Sequence, residues 1–204
     1  MLQRTALMGL GLLLSNTTLL AAQGANQSRG HQHPTKVEHA TVGKLEAFDV
    51  NARIMVLAPA PDLRPESTSC AGKSETFSVT QTTAVLGTTE ADRLGSLSEQ
   101  VGGVVVVRYA DSPNRPEATR VWVVDEPTVL EVSGSIVQID RADRTLVLRN
   151  KVGAEETMHL RHDFLVDSDA GLIDMSGLRD GQMISAYYTK EGTANQARLL
   201  RVVS

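Results

Sequence analysis

His31 and His33 stand either side of a single glutamine in the stretch RGHQHPT, and His39 follows six residues later. Two imidazoles one residue apart can chelate Zn²⁺ or Cu²⁺, above all on a segment free to adapt to the ion. A structural site needs a third or fourth ligand and partners that fix the ring orientations. His39 is the nearest further donor, so His31, His33 and His39 are the candidate metal ligands, with Cu or Zn as the ion. A second pair, His159 and His162, falls in a strand-like stretch. Side chains three apart on a strand point to opposite faces, which makes these two surface or strand-end histidines rather than a shared site.

Asp167, Asp169 and Gly171 form DSDAG, with Asp163 and Asp174 close by. Alternating carboxylates before a glycine echo a calcium loop, but a third oxygen ligand and the closing glutamate are missing. Capping of a following helical turn accounts for the same residues. Cys70 is the only cysteine, so no disulfide can form within the chain. It has no neighbouring histidine or second cysteine to lower its thiol pKa and reads as a loop residue. A nucleophile elbow, an HExxH pair, a phosphate-cradling glycine loop and a Cys–His pair are all absent from the sequence, so enzymatic activity is not expected.

The elements that would position these side chains occur twice. Residues 43–57 read GKLEAFDVNARIMVL and residues 134–148 read GSIVQIDRADRTLVL, with Gly43/Gly134, Asp49/Asp140, Arg53/Arg144, Val56/Val147 and Leu57/Leu148 in register. Short apolar bursts follow in the same order in each copy: LEAF, IMVLA, TFSV, VVVVRY and VWVV, then GSIVQI, TLVLR, TMHLR, MISAYY and ARLLRVV. Bursts of this length and β-branched content read as strands. Between the third and fourth burst of each copy lies a stretch with helical leucine spacing, TTEADRLGSLSEQVG and SDAGLIDMSGLRDG. The order β-β-β-α-β-β is that of the OB-fold, a five-stranded Greek-key barrel.

The expected architecture is therefore all-β: two tandem five-stranded OB-like Greek-key barrels, each with a short helix between strands three and four. The first barrel spans 39–126, with an inserted loop at 59–74, and the second spans 128–204. Asp49 and Asp140 open tight hairpin turns whose backbone N–H groups they can accept, and Arg53 and Arg144 stand where they could approach those carboxylates. Gly43 and Gly134 suit a point where the first strand bends across a small barrel.

Residues 1–22 have the layout of a secretory signal peptide: a basic start, the apolar run TALMGLGLLL, and small residues at a cut near Ala22. That run is about half of the ~20 residues that a spanning helix needs, so no membrane anchor is expected after cleavage. Residues 23–38 are polar, with Gly and Pro and no apolar period, and read as a flexible, histidine-containing leader. The expected location is periplasmic or secreted. The chain has 24 acidic against 20 basic side chains and seven aromatics. An acidic chain with few aromatics lacks both the phosphate-neutralising charge and the stacking platforms of a nucleic-acid binder.

GSIVQIDRADRTLVL, ETMHLRHDFLV, LRDGQMI and ARLLRVV together resemble small exported bacterial OB-like domains of unknown function, over almost the whole mature chain. The layout is also similar to the periplasmic copper-binding OB domains of metal-efflux systems. In that family a histidine late in strand two, a nearby tryptophan and two methionines near strand three hold Cu(I), an ion that soft thioethers favour. Here strand two ends in Leu57-Ala58 and Leu148-Arg149, strand three offers Phe77 and Met158, and Trp122 lies in strand five, so the copper site does not carry over. The expectation is an exported, non-enzymatic binding or interaction protein of the cell envelope. Its partner would be a protein or small ligand held on the barrel faces or in the groove between them, since ligand sites favour domain interfaces. The alternative is periplasmic Cu/Zn handling by the histidine leader.

Overall fold

The computed structural model describes residues 36–58, 73–87, 94–124 and 129–203. The expected signal peptide, His31, His33, Cys70 and the junction between the barrels at 125–128 lie outside the described residues. Among the described residues eleven strands run in order: β1 (Glu38–Asp49), β2 (Ile54–Ala58), β3 (Glu75–Leu86), β4 (Val104–Ala110), β5 (Glu117–Val124), β6 (Leu130–Asp140), β7 (Thr145–Asn150), β8 (Glu155–Ser168), β9 (Gly171–Ile173), β10 (Met183–Glu191) and β11 (Ala194–Val202).

The repeated hairpin begins each barrel, and its recurring residues have recurring jobs. Asp49 Oδ1 accepts the N–H groups of Asn51 and Ala52 at 2.9 and 2.8 Å. Asp140 Oδ1 accepts those of Ala142 and Asp143, both at 2.9 Å. The arginines that end the turns do not reach back to these carboxylates. Instead Arg53 and Arg144 take left-handed backbone conformations, φ 54° and 53°. That turn aims each carbonyl at the third strand, where the N–H of Val79 or Leu160 donates to it at 2.9 or 2.8 Å. The conserved job is thus in the backbone of the arginine rather than its charge.

Each first strand then bends across its barrel at a glycine. A Cβ on Gly43 would lie 2.7 Å from the Ala58 carbonyl oxygen, and one on Gly134 would lie 2.4 Å from that of Arg149. Bulges follow at once, between Leu45 and Ala47 and between Ile136 and Gln138, and bulges are how a strand turns a corner in a small barrel. The first barrel closes in the order β1-β2-β3-β5-β4, with β3 and β5 parallel and β4 returning to β1. The second repeats this order as β6-β7-β8-β11-β10, closed by the parallel β8–β11 pair. Alternate residues fill the two interiors: Leu45, Met55, Leu57, Phe77 and Val107 in one, and Ile136, Leu146, Leu148, Met158 and Ile184 in the other. The fold class is therefore the expected pair of OB-like barrels.

Two details depart from the expectation. The helices between strands three and four are 3-10 segments, Leu94–Gln100 and Met175–Gly177. Leu97 within the first segment and Leu178 directly after the second are still buried in their barrels. In the second barrel a sixth strand, β9, pairs with the end of β8 before the 3-10 turn. Asp174 stands at the start of that turn but makes no side-chain capping bond, and Asp167 lies within β8, so the capping role expected of this acidic cluster is not what it does.

Beyond the two interiors there is a third apolar cluster, and it belongs to both barrels. Ala40 and Val42 of β1, Val106 of β4, and Trp122 and Val124 of β5 pack with Val129, Tyr187 of β10 and Leu199 of β11. In β4 and β5 these residues alternate with the barrel-filling ones, so both strands are apolar on both faces. Residues 35–204 accordingly form one compact unit. Among the described residues no helix is long and apolar enough to cross a membrane.

Candidate binding cleft at the barrel seam

Beside the apolar seam runs a row of polar side chains that the strand registers bring into line. Ser133 of β6 faces Ser185 of β10, Ser185 faces Arg201 of β11, and Arg201 faces Asp167 of β8. The two serine hydroxyls are 2.7 Å apart. Asp167 is 7% exposed. It takes Arg201 Nε at 3.6 Å on one oxygen and His39 Nδ1 at 3.0 Å on the other. Arg201 also donates to the Ala40 carbonyl at 3.1 Å, so Arg201 and His39 between them tie the second barrel to β1 of the first. A buried carboxylate is tolerated when it is paired and hydrogen-bonded in this way.

Burial raises the pKa of three groups in and around the seam. Burial pushes the Tyr109 phenol up to about 12, with Glu75 and Asp167 adding to the effect. Burial does the same to Tyr187, also to about 12, against an opposing pull from Arg201. Burial raises the Glu131 carboxyl, opposed by the Ser185 hydroxyl and by Arg201. In each case water that would have solvated the charged form has been removed.

On the outer side of this row the barrels leave a cleft of about 790 Å³ between the start of β1 and the β8–β9–3-10 segment. That size falls within the roughly 300–1,000 Å³ of small-molecule sites. Its first wall is Lys36, Val37 and Glu38, with Arg108 of β4; its second runs from His162 and Phe164 through Leu172 and Ile173 to Met175. Gly171 holds the walls together: its φ is +105°, and a Cβ there would meet the Glu38 carbonyl oxygen at 2.8 Å. Two of the cations on the first wall are already paired. Arg108 Nη2 bonds Glu38, and Lys36 Nζ lies 3.1 Å from the Glu117 carboxylate.

The histidines singled out in the sequence are distributed as follows. His39 sits within β1 rather than on the leader; its Nδ1 is engaged by Asp167, and its Nε2 faces Asp111 at 3.9 Å. Its ring stacks on Tyr109 with centroids 5.8 Å apart. His31 and His33 are outside the described residues. His159 and His162 are both exposed on β8, and only His162 borders the cleft. Among the described residues no three His, Cys, Asp or Glu side chains are grouped to hold a metal ion. Sequence reasoning missed the seam altogether, although a signal was present. VVVV in β4 and VWVV in β5 do not alternate with polar residues, as strands covered on both faces do not.

Closed Greek-key barrels joined through a shared apolar cluster define a tandem OB-like barrel protein. Among solved structures the chain is similar to CusF. The Ag(I) form of CusF matches with 11% identity and a TM-score of 0.30 over 38% of this chain and 100% of that one. The apo form from Escherichia coli matches with 13% identity and a TM-score of 0.31 over 39% and 93%. Neither a family model nor a curated protein matches the chain.

Proposed function

We propose that this chain is an exported, non-enzymatic binding protein of the cell envelope, and that its ligand sits in the cleft between the barrels. The observation that carries the reading is a ligand-sized cleft whose two walls come from different barrels, held at a fixed separation by the apolar seam and by the Asp167–His39 and Asp167–Arg201 pairs. A preformed site loses little ordering entropy on binding. Asp167, His39 and Arg201 are engaged with one another across the seam and serve to hold it.

The test is native mass spectrometry of the protein isolated from the envelope without denaturation, beside an Ala170→Trp/Ser176→Trp variant. Both positions are exposed and line the cleft, so the indoles fill it without disturbing either barrel interior. The expected result is a bound small molecule on the wild type, recovered chemically unchanged and lost from the variant. Bare wild-type protein, or the same adduct on both, would remove the cleft as the site.

A further inference from the structure

Resting on that reading of the cleft, we infer that its ligand is a small anionic amphiphile, with a carboxylate or phosphate head on Arg144 and an apolar body lying along Phe164, Ile173 and Met175. Arg144 is the unusual member of the lining. Its Nε donates to the Leu160 carbonyl at 3.1 Å and its Nη2 to that of Arg161. Its guanidinium lies over the Phe164 ring at 5.5 Å. All of these partners are neutral, and among the described residues no carboxylate pairs with the charge. The other cleft arginine, Arg108, is paired with Glu38.

An immobilised guanidinium with donors to spare is the group that recognises carboxylate and phosphate oxygens in two-pronged geometry. The wall beside it is apolar: Phe164, Ile173 and Met175 are only partly covered by their own barrel's core. Charge at one end and apolar surface along the rest is the complement of an amphiphile.

The first barrel shows that this is not a by-product of the hairpin. Arg53 has the same backbone conformation and the same carbonyl role but an exposed side chain. Counting on from the matched Val79 and Leu160, the place of Phe164 is taken by Thr83, which turns inward to bond the Ala118 carbonyl at 2.6 Å. The fold needs the arginine backbone in both barrels, whereas the anchored side chain over an aromatic ring occurs only where the cleft is.

The experiment is calorimetric titration of the mature protein, below micelle-forming concentrations, with decanoate, decyl phosphate, decanol and inorganic phosphate. One equivalent of decanoate or decyl phosphate is expected to bind, with decanol about tenfold weaker, as the loss of one charge-assisted contact implies. The better of the two heads identifies the carboxylate or the phosphate as the natural one. Inorganic phosphate alone is expected to bind weakly. Arg144→Gln should bring the anionic ligand down to the level of decanol and leave decanol unchanged. Should that variant not fold, added salt provides the same test on wild type, weakening the anion and not the alcohol. Equal binding of decanol and decanoate, or no effect of either Arg144→Gln or salt, overturns the anionic head while leaving the cleft reading intact. Failure of every decyl compound to bind overturns the inference, and the cleft reading then stands or falls on the envelope-isolated adduct.

Discussion

At the scale of single residues, the seam is a place where side chains have exchanged water for one another. Asp167 illustrates how this hides from sequence. In DSDAG it looks like a calcium or capping residue, because its visible neighbours are acidic. Its real partners are His39, 128 residues away, and Arg201. No local spacing encodes that pairing. The tyrosines give the exchange a measurable signature. Tyr109 and Tyr187 are pushed from the ordinary 10.0 to about 12, and Tyr188 is also raised. A phenol whose pKa is higher folded than unfolded contributes stability that is complete below pH 10 and lost as pH rises toward 12. Alkaline difference absorbance should therefore show little tyrosinate at pH 10 and a late step that coincides with unfolding. A step completed near pH 10 would mean that the rings are wet, Tyr187 in the seam among them.

At the scale of elements, the repeated hairpin was legible because local rules write it: Asp at the turn, period-two apolar residues after it, and a glycine where strands cross. The last of these yields a stability prediction. Gly134→Ala sets a methyl against the Arg149 carbonyl carbon and oxygen at 2.8 and 2.4 Å, and backbone on both sides cannot yield cheaply. A loss of about 2 kcal/mol or more is expected. Gly95→Ala, where nothing lies within 4 Å of the added carbon, is the control and should be neutral or slightly stabilising. Denaturant midpoints of the two variants decide it; equal values would mean that the crossing is looser than it looks. What was not legible at this scale was β9. Three residues long and held by Gly171 against Glu38, it exists because a neighbouring barrel is there to pack on. The helix expected in its place becomes a three-residue 3-10 turn. A groove between the barrels was expected, but its lining was out of reach for the same reason: its walls, Lys36–Glu38 and the β8–β9 segment, are far apart in sequence and meet only once the barrels dock.

At the scale of the whole molecule, the issue is whether two barrels behave as one body. Eight buried residues from both barrels form the seam cluster, and each large one contributes roughly 1.5–3 kcal/mol relative to exposure. Such a sum is comparable to the stability of a small domain, so neither barrel should survive long once the other has unfolded. The protein should therefore unfold in one calorimetric transition, with calorimetric and van't Hoff enthalpies equal. Leu199 offers a way to break the coupling selectively. It is fully buried and belongs to the seam, while its neighbour Leu200 fills the second barrel. Leu199→Asp sets an uncompensated charge in the seam at a cost of roughly 3–5 kcal/mol and leaves both interiors intact. Two separate transitions are expected from this variant, together with loss of the ligand proposed for the cleft, because the walls no longer hold their separation. A single transition shifted downward, with ligand retained, would show instead that the barrels are coupled through the linker and the polar row alone, and that the cleft does not depend on the apolar seam.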